Sequence, residues 1–213
     1  MSAPTGVVSY VPEEMIVTVR AGTLVADLNR ELASANQRCA LVDRGGTVGG
    51  AIAVGEDDPL VMGVGRTRAS VLQIRYVSAE GHLVTGGGPT VKNVTGFDLP
   101  RLFIGSLGTL GSIVEVMVRT NPIPEVSRWL VSDDADPFEV FDAALRLGGL
   151  FWDGSRTWAL LEGHCVDVDD EASRLAKTGP FTETNGPPEL PANRWSLKPA
   201  DCLLYTSPSP RDS

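Results

Sequence analysis

Lys92-Asn-Val-Thr-Gly-Phe-Asp-Leu-Pro-Arg-Leu-Phe-Ile-Gly-Ser-Leu-Gly-Thr-Leu-Gly-Ser-Ile113 is the stretch on which the reading of this chain turns. Gly105, Gly108 and Gly111 recur at every third residue, between an apolar segment, Leu99 to Ile104, and a strand-like one, Ile113 to Val118. That spacing fits neither helical nor strand periodicity. Each glycine in an ordered element costs about 1 kcal/mol relative to alanine, so three together need a reason. The reasons available are positive φ angles or close approach of the backbone to a ligand. Ser106 and Thr109 add hydroxyls able to bond a ribose or phosphate, and glycine-turn amides can form an anion-binding nest. By itself the triplet is equally a tight loop leading into a strand. Asp98 reads as the cap of a helix from Leu99 to Ile104. Lys92 could pair with phosphate, and the Asn93 amide suits either a polar ring edge or a turn.

Working outward, a second glycine turn lies upstream: Asp43-Arg-Gly-Gly-Thr-Val-Gly-Gly-Ala-Ile-Ala53. The two motifs, in this order, resemble the FAD-binding domain of the vanillyl-alcohol-oxidase type (PCMH-type) flavoproteins. Within that superfamily the Lys-Asn-Val-x-Gly wording is most similar to the FAD-binding E subunits of bacterial glycolate oxidases. The likeness runs from about Val7 to Pro124. It implies an α+β fold and FAD as cofactor. The implied FAD contacts are Asp43, Arg44, Gly45, Gly46, Thr47, Gly49 and Gly50 from the first motif. From the second they are Asn93, Gly96, Gly105, Gly108, Thr109, Leu110, Gly111 and Ile113. Many relatives carry Glu where this chain has Leu107, so contact there would come from the backbone.

Composition fits an enzyme domain and excludes other classes. The 213 residues, 42% of them hydrophobic, suffice for one or two cores. A net charge of -9 argues against nucleic acid and anionic lipid as partners. FAD is itself anionic, but glycine amides and Arg44 could offset it locally. No apolar run approaches the roughly 20 residues of a membrane span, and no signal pattern opens the sequence. The expected location is therefore cytoplasmic, with any attachment to the inner membrane made through partner subunits. The 3 cysteines, Cys39, Cys165 and Cys202, show no metal spacing and no disulfide framework. Of the 2 histidines, His82 reads as a solvated turn residue and neither carries a catalytic motif.

The rest of the first unit reads as alternating strands and helices. Gly6 to Val11 and Met15 to Arg20 are expected strands. A helix should follow, with Thr23 as its N-cap and Leu24, Val25, Leu28, Leu32 and Ala35 along its apolar side. Val48 to Val54 reads as a short helix whose N-terminus could face phosphate. Glu56-Asp57-Asp58-Pro59 reads as a solvated turn. Val71 to Ala79 and Leu83 to Thr85 make a hairpin about Glu80-Gly81. Gly86 to Gly88 reads as a flexible connector.

After Pro122 and Pro124 a new unit begins, giving a division into 1–124, an FAD-binding domain, and 125–201. Ser127 to Val131 and Thr157 to Glu162 are expected strands, and Pro137 to Leu147 a helix with Phe138, Val140, Phe141, Ala144 and Leu145 apolar. By resemblance this is the start of a ferredoxin-like cap domain. Trp129, Trp152 and Trp158 are expected in its core, and Gly179 to Pro199 as a loop. Residues 202–213 match a translated sequencing adapter, and the family's first pyrophosphate loop, which belongs upstream of Gly6, is absent. The expectation is thus a chain truncated at both ends, with an incomplete N-terminal subdomain and a partial cap.

The resemblance implies an FAD-dependent 2-hydroxy-acid dehydrogenase subunit, passing hydride from substrate to flavin, with a D-type flavin subunit and an iron-sulfur subunit as partners. Catalytic residues are unassigned from sequence. The other readings are a non-catalytic FAD-holding scaffold subunit and a fragment unable to retain FAD.

Overall fold

The computed structural model describes residues 3–89 and 98–188. In the first unit the elements run β1 (Val7–Val11), β2 (Ile16–Arg20), α1 (Val25–Ser34), β3 (Gln37–Cys39), α2 (Val48–Val54), α3 (Val61–Val64), α4 (Thr67–Ser70), β4 (Val71–Val77), β5 (Leu83–Gly87), α5 (Leu99–Phe103) and β6 (Ser112–Pro122). They form an antiparallel sheet in the order β1-β2-β6-β4-β5, with β3 paired to the far end of β6. Period-two patterning explains its centre. Val17 and Val19 of β2 and Val116, Val118 and Thr120 of β6 point to one face and are buried. Val25, Leu28 and Leu32, at helical spacing on α1, cover that face together with Val48 and Ile52 of α2 and Phe103 of α5.

Several local expectations are met and others change. The β4–β5 hairpin turns through Gly81 (φ 84°), with Ser78 N–H donating to the His82 carbonyl at 2.9 Å, and His82 is exposed. Asp98 caps α5 by accepting from Arg101 N–H. Thr23 does not cap α1. Its hydroxyl oxygen accepts from Gly6 N–H at 2.8 Å, and α1 starts at Val25, whose N–H goes to the Gly46 carbonyl. Tertiary partners have displaced the local cap. Glu56, Asp57 and Asp58 are half-buried and engaged: Glu56 with Arg44, Asp57 with Thr67 N–H, Asp58 with Leu60 N–H. Gly86 and Gly87 are not a connector but strand residues opposite Ile74 and Gln73. A Cβ on Gly86 would lie 2.6 Å from the Leu99 side chain, so α5 sits directly on this glycine strand.

The second unit contains β7 (Val126–Ser132), α6 (Pro137–Ala143), β8 (Gly149–Trp152), β9 (Thr157–Gly163), α7 (Cys165–Leu175) and β10 (Thr182–Thr184). Its antiparallel sheet has the order β10-β7-β9-β8. This is the βαββαβ arrangement of a ferredoxin-like sheet, with all four strands, where the sequence suggested an opening strand–helix–strand. Part of the expected Gly179 to Pro199 loop is therefore strand β10. Leu130, Val140, Ala159, Leu161, Val168 and Leu175 form its core. α6 ends at Ala143, short of the expected Leu147, because Ala144 is extended and the buried Glu171 carboxylate of α7 accepts from Leu145 and Arg146 N–H at 2.7 and 3.3 Å. Of the three tryptophans expected in the core only Trp158 is buried; Trp152 is exposed and Trp129 half-buried. Residues 189–213, including the adapter-like tail and Cys202, lie outside the described residues.

The two sheets are tied together. Arg38 of β3 makes a two-pronged pair with Glu162 of β9, at 2.9 and 2.6 Å, and Gly63 N–H donates to the Gly148 carbonyl. Glu125, in the connection between β6 and β7, meets His164 Nδ1 at 2.9 Å. That hydrogen bond raises the His164 pKa above its usual 6.5. A raised folded-state value means the contact supports the fold fully below the unfolded pKa and fades as pH rises through the folded one. We expect the His164 ring, followed by NMR, to titrate above 6.5 in the native chain and to return towards it in Glu125→Gln; identical midpoints would show that the pair does not form.

Candidate cofactor site

The site is organised around the seven-residue helix α2. At its start, the Asp43 carboxylate accepts from Gly45 N–H at 2.8 Å, closing a turn that Gly45 completes with φ 74°. At its end, the glycine run folds back: Gly105 N–H donates to the Ile52 carbonyl at 3.1 Å and Leu107 N–H to that of Ala53 at 2.8 Å. The two motifs, far apart in sequence, thus sit at opposite ends of one helix, about 10 Å apart by the helical rise. Asn93, Gly96 and Lys92 lie outside the described residues.

The glycines divide into two kinds. A Cβ on Gly49 would stand 2.8 Å from that of Ala21, and one on Gly111 2.6 Å from the Val77 carbonyl oxygen, so close packing within the chain accounts for both. A Cβ on Gly45, Gly46 or Gly108 would meet nothing within 4 Å, and at Gly105 only the Val54 oxygen at 3.8 Å. Those four leave backbone uncovered. At Gly50 the added atom would meet only the Thr47 hydroxyl, at 3.2 Å.

Donor placement differs from the sequence expectation. The first amides of α2 are already used: Val48 N–H by the Thr23 carbonyl, Gly49 N–H by that of Ala21, Gly50 N–H by the Thr47 hydroxyl. Its N-terminus therefore does not supply the free donors a phosphate needs. Among the described residues the amides of these turns without a protein acceptor include those of Gly46 and Thr47 in the first and Gly108 in the second. Thr109 uses its hydroxyl to close its own turn on the Ser106 carbonyl, at 2.7 Å, while the Ser106 hydroxyl oxygen is buried with no partner. Leu110 is exposed, and Ile113 is half-buried against the core, where its side chain supports the sheet. Leu107 adopts φ 52° with its side chain exposed, so that residue presents backbone.

Arg44 is not a free cation. Its guanidinium pairs with Glu56 through two bonds, 2.6 and 3.2 Å, which hold it protonated beyond its ordinary range. The pair borders a small pocket of about 240 Å³ lined by Val25, Val42, Gly46, Ala51 and Val54. Asp43 and Arg44 also border a larger cleft of about 710 Å³ that reaches the second sheet. Trp129 and Phe151, with ring centroids 5.6 Å apart, form its far wall, and Arg38, Leu41 and Leu60 its near wall. These wall residues come from separate elements, and no motif in the sequence marks them. Cys39 borders the cleft as an inert group, since burial pushes its thiol up to about 11.

Such a backbone-lined site suits a bound dinucleotide cofactor. Residues 1–87 match the FAD binding domain family, and the chain is similar to FAD-linked oxidoreductases. It is 33% identical over 168 residues to the glycolate oxidase subunit GlcE of Escherichia coli strain K12, covering 74% of this chain and 48% of that protein. It is 37% identical over 100 residues to the glycolate oxidase subunit GlcD of Bacillus subtilis strain 168, covering 47% of this chain and 20% of the relative. A D-lactate dehydrogenase of Archaeoglobus fulgidus is 38% identical over 76 residues, 36% of this chain and 17% of its own length. The chain thus spans about half the length of GlcE and less of the others. Among solved structures an alkyldihydroxyacetonephosphate synthase superposes with a TM-score of 0.63 at 16% identity, covering 84% of this chain and 41% of its own, which shows a shared fold. The residues present fit FAD on the chain's own features: open space before Gly45, Gly46 and Gly108, the unclaimed Gly46, Thr47 and Gly108 amides, and the orphaned Ser106 hydroxyl.

Proposed function

We propose that this chain is the FAD-holding part of an oxidase or dehydrogenase of small 2-hydroxy acids. Bound FAD would supply the hydride acceptor. The protein's task is to hold and orient it, with the Gly46, Thr47 and Gly108 amides as donors to anionic oxygens and Asp43 fixing the turn that aims the first two. Gly49, Gly50, Gly105, Gly111 and Ile113 act by keeping those turns against α2 and the sheet. The observation that carries the reading is the uncovered backbone at Gly45, Gly46 and Gly108, which packing within the chain does not explain. The cleft between the Asp43–Arg44 turn and the Trp129–Phe151 pair is the proposed entry for substrate, and its apolar far wall would exclude water from the reacting face. Relatives described as glycolate oxidase subunits and as a D-lactate dehydrogenase support the substrate class. The relatives named as GlcE and GlcD subunits also support assembly with a D-type flavin subunit, and the family resemblance adds an iron-sulfur subunit to the proposed complex. Among the described residues no helix is long and apolar enough to cross a membrane.

One observation favours the scaffold alternative. Neither histidine borders the cleft: His82 sits in the β4–β5 turn and His164 pairs with Glu125. Titrating FAD into the purified chain separates the readings. Saturable quenching of flavin fluorescence is expected, with the bound flavin bleached anaerobically by glycolate or D-lactate. Binding without bleaching would favour the scaffold, and no binding by this chain or by one extended upstream would overturn the cofactor assignment.

A further inference from the structure

The outer face of α6 is apolar and unoccupied. Val140 is fully buried and so fixes the rotation of the helix about its axis; Phe138 and Phe141, at i and i+3, then share the opposite side and are 77% and 56% exposed. Leu145, just past the helix end, is 75% exposed and cannot turn inward freely, because its N–H is held by Glu171. Scattered exposed apolar residues need no explanation, but two phenylalanines on one side of a short helix followed by a leucine form a patch of the kind that protein contacts use.

The surroundings say what kind of partner fits. Asp133, Asp134, Asp136, Glu139 and Asp142 are all exposed, and no lysine or arginine occurs between Arg128 and Arg146. None of the five pairs with a cation among the described residues; Asp136 accepts only the Phe138 and Glu139 amides as the helix cap. A second copy of this chain would oppose the same carboxylates to themselves, and an anionic membrane would be repelled in the same way. A segment with apolar anchors and a lysine- or arginine-rich rim satisfies both the patch and its charge. We infer that the outer face of α6 docks a basic, amphipathic helical segment of a different protein chain. This does not depend on FAD binding, since α6 belongs to the second sheet and borders neither glycine turn.

The test uses the whole chain and a fluorescein-labelled synthetic helix with leucines at i, i+3, i+4 and i+7 and lysines on both flanks, followed by anisotropy. The lysine peptide is expected to bind, to weaken about tenfold or more between 50 mM and 500 mM salt, and to lose at least about tenfold in affinity to Phe138→Ser/Phe141→Ser. Glu139→Lys/Asp142→Lys should act in the same direction. Both pairs are exposed, so circular dichroism and Tm should be unchanged. Equal binding of a glutamate-flanked twin, indifference to the phenylalanine changes, or no binding at about 100 μM peptide overturns the inference. So would a wild-type dimer in sedimentation that Phe138→Ser dissociates, or binding to anionic phosphatidylglycerol vesicles that the same change abolishes.

Discussion

Gly49→Val is expected to lower the Tm by about 10 °C, while Gly46→Ala leaves it unchanged or slightly higher yet weakens FAD binding at least about tenfold. The two glycines stand three residues apart in one motif and have different reasons to be glycine. A Cβ at Gly49 would lie 2.8 Å from the buried Ala21 Cβ and 3.1 Å from its carbonyl oxygen, which also accepts the Gly49 amide. Neither neighbour is the end of a flexible side chain, so valine must push α2 off β2 and stretch that hydrogen bond. Overpacking of this kind costs on the order of 3 kcal/mol, and in a chain of this size each kcal/mol moves Tm by about 2–4 °C. At Gly46 the added methyl meets nothing within 4 Å and φ is not positive, so alanine restricts the unfolded chain without straining the native one. Its methyl would project into the space before the Gly46 and Thr47 amides. Differential scanning calorimetry and a flavin titration on the same two variants decide the matter. Unchanged FAD affinity in Gly46→Ala would remove Gly46 from the site, and an unaltered Tm in Gly49→Val would contradict the packing.

Glu162→Ala is expected to destabilise the chain by roughly 2–4 kcal/mol, through the contact between its two sheets. The Glu162 side chain is 10% exposed, bonded twice to Arg38, and pressed against Gly63, where a Cβ would come within 2.6 Å of its carboxylate. Removing it leaves the Arg38 guanidinium facing a hole, with its Nε already lacking a partner. A wholly buried pair broken in this way costs about 3–5 kcal/mol; the 26% exposure of Arg38 lets water recover part of that. The double-mutant cycle with Arg38→Ala, measured by urea denaturation, should give a coupling of at least about 1 kcal/mol. Additivity within about 0.3 kcal/mol would mean that the sheets are held by other contacts. Arg38 also lines the cleft, so the same variants should change flavin or substrate affinity more than exposed substitutions elsewhere do.

The fold was legible where local pattern and tertiary environment agree. Alternation in Ile16–Arg20 and Ile113 to Val118 describes strands whose one face is buried, and Leu28 and Leu32 describe a helix on top of them. Legibility failed where a distant partner outbid the local preference. Thr23 has the chemistry of an N-cap, but Gly6, just before β1, offers it its amide. Phe138 and Phe141 look like core, but Val140 takes the single inward position of α6. Gly86 and Gly87 look like a hinge, but they are thin enough to let α5 rest on the sheet. At the site, the motifs were visible as glycine spacing, and the division between packing glycines and open ones was not. That division depends on what stands opposite each Cβ, which no spacing encodes.

From sequence alone came the presence and order of the two glycine motifs, hence the resemblance to FAD-binding domains, because backbone that must bend sharply or approach closely tolerates few residues other than glycine. The acidic charge, which argues against nucleic acid as a partner, also needed no coordinates. Tertiary structure decided how those parts act: that α2 joins the two turns end to end, that its N-terminal amides are spent on the chain itself, that Arg44 is claimed by Glu56, and that Trp129 and Phe151 face the Asp43–Arg44 turn across a cleft. The physical reason is common to all four. A hydrogen-bond donor or a cation serves whichever acceptor lies nearest in space, and residues far apart in the chain become nearest only once the two sheets have folded and met.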